Sequence, residues 1–133
     1  MSASMIVLYN EAHEILLQYR SKNSKKYPNY WGFFGGKIEG DETPLEAVIR
    51  ETKEEIDYDL ANPILFHEAF DIDNNNPHYF FMEAFDDTQT LELLEGEALG
   101  WHSVEAAKTL KMAPHLQMQL ERVGAFLNQS PPE

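Results

Sequence analysis

Five charged side chains in one short stretch, Glu42, Arg50, Glu51, Glu54 and Glu55, have the types and spacing to do chemistry. They follow a glycine pair, Gly35-Gly36, in the run GKIEGDETPLEAVIRETKEEIDY from Gly36 to Tyr58. Carboxylates spaced i, i+3 and i+4 are neighbours on a helix and repel by roughly 0.2–0.5 kcal/mol per facing pair. Only Arg50 and Lys53 stand close enough in sequence to offset them, and Arg50 also falls four residues after Glu46. Hard oxygen ligands in excess of cations suit a divalent ion, above all Mg2+ holding a phosphate chain. Taken alone, an ExxEE run reads as a solvated acidic face; its surroundings decide otherwise.

The element that must position these groups is a helix with a well-specified start. Thr43 takes the N-cap, Pro44 the first turn, and Glu46 completes a capping box. Leu45, Val48, Ile49 and Ile56, with Thr52, form the stripe predicted to be buried. Glu51 and Glu55 flank that stripe and Glu54 lies about a quarter-turn further round. Asp57 closes the helix, where a left-handed cap is expected.

Written as Gly36-x5-Glu42-x7-Arg50-Glu51-Thr52-x-Glu54-Glu55-x-Asp57-Tyr58, the stretch resembles the Nudix hydrolase signature Gx5Ex7REUxEExGU, in which U is a bulky aliphatic. Thr52 replaces an aliphatic and Asp57 a glycine, and neither change removes a ligand. The resemblance implies an α+β fold, an α/β/α sandwich with a mixed β-sheet between helices, spanning residues 1–133 as a single domain. Outside the box it is closest to the MutT-like branch, through Glu95-Gly96-Glu97-Ala98-Leu99-Gly100-Trp101 before the last helix. It implies hydrolysis of a nucleoside diphosphate linked to another group X, foremost a nucleoside triphosphate giving monophosphate and pyrophosphate. Mg2+ or Mn2+ would be held by Glu51, Glu54, Glu55 and the Gly35 carbonyl. Arg50, which is always protonated, would orient the glutamates. Glu54, Glu55 and Glu95 all stay open as the base, and Glu97 as a substitute for Glu95. Glu42 would support the turn or bind an outer metal. A nucleotide sensor of the same fold, or a hydrolase of a nucleotide sugar, ADP-ribose or an RNA 5′ end, is the alternative reading. The coenzyme A subgroup's upstream signature is matched only in part by Leu16 to Ser21.

Composition bounds the rest. A chain of 133 residues with net charge −13 and no cysteine suits one core in a reducing compartment, so a cytoplasmic location is expected. Its acidity argues against duplex nucleic acid, and no apolar run is long enough for a membrane span. The expected partner is a small nucleotide substrate, and a homodimer stays open. Against that acidity, residues 20–37 concentrate Arg20, Lys22, Lys25, Lys26 and Lys37, half of the ten basic residues. Arg20, Lys25, Lys26 and Lys37 are read as substrate-attracting, an ordinary solvated loop being equally open. Tyr27, Tyr30 and Trp31 would shape a base or sugar pocket or cover the core. His115, near the start of the last helix, falls roughly where MutT-like relatives place a base-reading asparagine, a helix-capping or solvent role being the favoured alternative. His67, His78 and His102 show no ligand spacing.

Strands are expected at Met5–Tyr9, Glu14–Arg20, Trp31–Phe34, Pro63–Ile72, His78–Phe85 and Ala98–His102. A glycine turn follows the third, a polar turn joins 73–77, and Asp86–Thr90 is loop. Tyr79 to Met82 reads as a central strand. A last helix over Ala113–Asn128 carries Leu116, Leu120, Val123 and Leu127 inward, before a frayed tail from Ser130.

Overall fold

A continuous apolar run near the N-terminus, Met5 to Tyr9, makes a strand buried on both faces. Strand β1 (Ala3–Tyr9) points Ile6 and Leu8 into one core and Val7 into the other. The computed structural model describes residues 2–71 and 76–129. The other elements are β2 (Glu14–Tyr19), β3 (Trp31–Gly32), β4 (Phe34–Lys37), α1 (Pro44–Ile56), β5 (Ile64–Asp71), β6 (Asn76–Ala84), β7 (Ala98–Ser103), α2 (Val104–Ala107), α3 (Pro114–Gln117) and α4 (Leu120–Asn128). The architecture is the expected α+β sandwich with a mixed sheet between helices.

The sheet runs β3-β2-β1-β6-β5, with β4 added to β1 and β7 to β2. β1 and β6 are parallel, and the other pairings are antiparallel. β6 is central, as its two-sided apolar run predicts: Phe80 and Met82 enter the core under α3 and α4, Phe81 the core under α1. The expected polar turn at 73–77 yields Asn76 and Pro77 to β6. The rest of that turn, Ile72 of the fourth expected strand, and the tail from Ser130 lie outside the described residues.

The hairpin of β1 and β2 forms but splays, with one register pair, Tyr9↔Ile15. Into the opening wedge goes the chain from Trp31 to Lys37. It pairs first with β2 (Tyr19↔Trp31) and then with β1 (Ala3↔Lys37 to Ile6↔Phe34), changing partner at Phe33. The single short strand expected over Trp31–Phe34 is therefore two strands. The glycine pair lies inside β4 and not in a turn, because β1 draws those residues into its ladder.

Helix α1 starts and ends where its local chemistry dictates. Thr43 accepts from the Glu46 N–H at 3.1 Å and Glu46 accepts from the Thr43 N–H at 2.9 Å, a reciprocal cap worth about 1 kcal/mol. Asp57 is the C-cap with φ 53° and ψ 41°, its N–H bonded to the Lys53 carbonyl. The stripe is shifted from the one expected. Ala47, Val48, Thr52, Glu55 and Ile56 are buried, while Leu45 and Ile49 are 42% and 39% exposed. α1 lies over β4 and β1, so the flank bearing Leu45 and Ile49 has no layer above it. Thr52, in place of an aliphatic, satisfies its buried hydroxyl on the Val48 carbonyl at 2.6 Å.

The last helix is divided. Leu116, Leu120, Val123 and Leu127 are buried as the periodicity predicts. At Gln119, however, the backbone tightens to an i→i+3 bond with the Leu116 carbonyl, and Met118 and Gln119 separate α3 from α4. α2 was not anticipated; Ser103 caps it by accepting from the Ala106 N–H at 3.1 Å.

Candidate active site

Glu55 is the innermost of the acidic residues. It faces the sheet from α1, is 5% exposed, and accepts a hydrogen bond from the Gly35 N–H at 2.7 Å. Burial pushes its carboxyl up to about 8; the Gly35 bond opposes this, and the charges of Glu51 and Glu95 add to it. One turn earlier, burial likewise raises Glu51, against the pull of Arg50 and with help from Glu54 and Glu95. Four carboxylates, Glu51, Glu54, Glu55 and Glu95, therefore share one region of field.

Two glycines let these groups approach the backbone of β4. Gly35 has φ 140°, and a Cβ there would strike the Ser4 carbonyl. A Cβ on Gly36 would occupy the space filled by the Glu51 carboxylate. The loop after β4 is fixed by Glu42, which accepts from the Glu39 N–H at 2.9 Å and from Arg50 Nε at 2.7 Å. Those two bonds hold the Glu42 carboxyl below its usual range, Arg50 contributing most. Glu42 thus supports the turn, the first of its two expected roles.

Arg50 is the organiser. Its guanidinium reaches Glu42, Glu51 at 3.0 Å, Glu54 at 3.3 Å and the Lys37 carbonyl at 3.0 Å, using the donor fork that lysine lacks. Glu46, four residues earlier, is taken up by the cap instead. Lys53 is engaged away from the cluster, with Asp57 and Asp59 at 3.0 and 3.1 Å.

The residues fit a hard divalent cation by their chemistry. The donors are carboxylate oxygens next to backbone that only glycine allows so close, and they repel one another. Among the described residues, no three acidic or imidazole side chains already converge as a finished cage. Arg50 and the Gly35 N–H take up oxygens that a cation would otherwise share.

Glu95 and Glu97 are both exposed, in the loop before β7. The Glu97 N–H bonds the Tyr19 carbonyl, and it is the Glu95 charge that reaches Glu51 and Glu55. The basic segment is less uniform than its sequence suggests. Arg20 is spent on its own loop, bonding the Lys26 carbonyl at 3.1 Å and Ser24 Oγ at 2.7 Å. Lys25, Lys26 and Lys37 are exposed, and among the described residues no acidic partner holds them. His115 joins an aromatic group with Tyr27 at 5.7 Å and His78 at 6.0 Å, and Tyr30 packs on Tyr27 with Lys111 over its ring. Trp31 covers the core instead, with its ring against Tyr19 and His102.

Spacing did not point to Gln18. It is 4% exposed on β2, and its Nε2 donates to the Phe33 carbonyl at 2.9 Å. The available signal was a lone amide in the otherwise apolar run Ile15-Leu16-Leu17-Gln18.

Comparison with known proteins agrees with this geometry. Residues 1–122 match the family model described as the NUDIX domain. The CTP pyrophosphohydrolase of Escherichia coli strain K12 is 32% identical over 103 residues, 76% of this chain and 75% of that protein. The MutT protein of Methanosarcina mazei Go1 has a similar structure, with TM-score 0.81 at 24% identity over 97% of this chain and 96% of its own. The NUDIX domain of Shewanella oneidensis NrtR, solved with ADP ribose, gives TM-score 0.78 at 16% identity over 96% and 88%. At those identities the two structures speak for the fold. With the matched signature, the family model and the curated relative together, the chain belongs to the Nudix hydrolases, enzymes that cleave pyrophosphate bonds of substrates in which a nucleoside diphosphate is linked to another group.

Proposed function

We propose that this protein hydrolyses a nucleoside triphosphate to the monophosphate and pyrophosphate with Mg2+ or Mn2+, cytidine nucleotides being the first candidates. The observation that carries the proposal is the group of four carboxylates beside Gly35 and Gly36, with Arg50 the one cation bonded to them among the described residues. A polyanionic substrate reaches such a site only with cations. The cytidine preference is supported by the activity in the name of the 32%-identical relative.

Glu51, Glu54 and Glu55 would hold the cation, with the Gly35 carbonyl; a bound divalent ion supplies charge neutralisation and a more acidic water. Glu55, bonded by the Gly35 N–H and shut from solvent, would serve as a rigid oxygen donor. Glu54 has half its side chain exposed and Glu95 is exposed, which supports reading them as the groups that would take a proton from attacking water. Arg50 cannot be a base; it keeps Glu51 and Glu54 aimed the same way. Exposed Lys25, Lys26 and Lys37 would draw the phosphate tail in, and the Tyr27–His115 group would receive the base.

The test is a screen of ribo- and deoxyribonucleoside triphosphates, nucleotide sugars and ADP-ribose with Mg2+ and with Mn2+. Pyrophosphate released fastest from a cytidine triphosphate is the expected result. Release of phosphate alone, or preference for a non-triphosphate diphosphate, would replace the substrate assignment. Tight nucleotide binding without turnover would make the protein a sensor.

A further inference from the structure

Where the sheet splits, two buried polar side chains meet. Phe33, at which the inserted chain changes partner, belongs to neither β3 nor β4. Its carbonyl is taken by Gln18 Nε2 at 2.9 Å, and two residues on the Gly35 N–H is taken by Glu55 at 2.7 Å. Gln18 projects from β2 on the same face as Leu16, the face that α1 covers. Packing alone would favour leucine or methionine there, since burying an amide is costly unless its bonds are made. The amide also lies near enough to Glu55 to draw its carboxyl down, against the effect of burial on that group. Its oxygen side lies against the acidic loop: a Cβ at Gly96 would stand 3.1 Å from Gln18 Oε1.

We propose that Gln18 is a positioning residue for the hydrolytic site: its amide holds the Glu55 carboxylate in place and ties it to the strand crossing at Phe33 and to the loop bearing Glu95. This rests on the hydrolytic reading above. One N–H serves the Phe33 carbonyl, which leaves the other to serve Glu55. Without the second bond, Glu55 would keep only its tie to Gly35 and could rotate about it. A carboxylate that must present oxygens to a fixed point loses function with small displacements.

Gln18→Met keeps length and volume and removes both donors. Kinetics with saturating Mg2+ and the amide spectrum of 15N-labelled protein are the two readouts. The expected result is a kcat at least tenfold lower with KM within twofold, together with an upfield move of the Gly35 amide proton as its bond to Glu55 lengthens. A purely structural glutamine would change the melting temperature and move neither readout. An unchanged Gly35 resonance in folded Gln18→Met, or a moved resonance with wild-type kcat, overturns the proposal. If Gln18→Met does not fold, Gln18→Glu retains the shape without the N–H donors and is expected to show the same losses; wild-type kcat in it is equally decisive against the idea. Absence of turnover in the wild type would instead sink the hydrolytic reading, while the Gly35 resonance would still decide whether Gln18 holds Glu55.

Discussion

Glu55 carries a proton in the folded, cation-free protein well above the range where it would in the unfolded chain. Its carboxyl shifts from an ordinary 4.5 to about 8, chiefly through burial. Between those values the folded state binds more protons than the unfolded state, so stability falls as pH rises. The contribution is fully present below about 4.5 and is lost as pH climbs through about 8. Thermal melts in EDTA should therefore show a falling midpoint from pH 5 to 8.5, and Glu55→Gln should flatten that slope and melt higher than wild type at pH 8.5. A wild-type slope persisting in Glu55→Gln would assign it to other groups. The same substitution should slow catalysis, because a neutral amide keeps the shape and loses the charge that would bind a cation. Glu54→Gln and Glu55→Gln are each expected to reduce turnover more than tenfold with folding intact, and wild-type rates in both would remove the carboxylates from the mechanism.

Helix α1 shows how much of an element is written locally. Thr43, Pro44, Glu46 and Asp57 act on neighbours within four residues, so both ends of the helix and the spacing of its carboxylates could be read from the sequence. Asp57 also sets up a stability test. A left-handed conformation costs a residue with a Cβ roughly 1 kcal/mol, and the solvent-screened pair with Lys53 returns only part of that. Asp57→Gly should thus raise stability by about 0.5 kcal/mol, a shift of a few degrees at this size. A lower midpoint would mean the Lys53 pair outweighs the strain. What lay beyond local reading depended on distant partners. Leu45 and Ile49 match Val48 in periodicity, and only the placement of α1 over β4 and β1 leaves them outside. Gly35 and Gly36 look like a turn until β1 recruits them as a strand. Gln18 has meaning only beside Phe33 and Glu55, neither of which is near it in sequence. The break at Gln119 leaves no mark in the sequence, because the helical periodicity of Leu116, Leu120, Val123 and Leu127 runs straight through it.

At the scale of the whole molecule, charge and topology set the terms. A net charge of −13 opposes the approach of a phosphorylated substrate, and Lys25 and Lys26 are exposed cations without acidic partners among the described residues. Replacing both with alanine should raise KM severalfold with kcat nearly unchanged. The effect should fade with salt, as the screening length falls from about 10 Å at 0.1 M to about 3 Å at 1 M. Kinetics of the double variant across that range decide: an unchanged kcat/KM at low salt makes the segment an ordinary loop, and a fall in kcat alone places a lysine at the reacting phosphate. Topology acts earlier in the protein's life. β1 finds its parallel partner only at residues 78–84, so the first strand made waits for the sixth. Closing so long a loop comes before any reward from the pairing, which makes the search for this sheet slow compared with forming α1. The carboxylate helix can therefore exist on a nascent chain well before β1, β4 and β2 are locked around it, and a polypeptide that stops short of β6 carries the whole signature with no site to put it in.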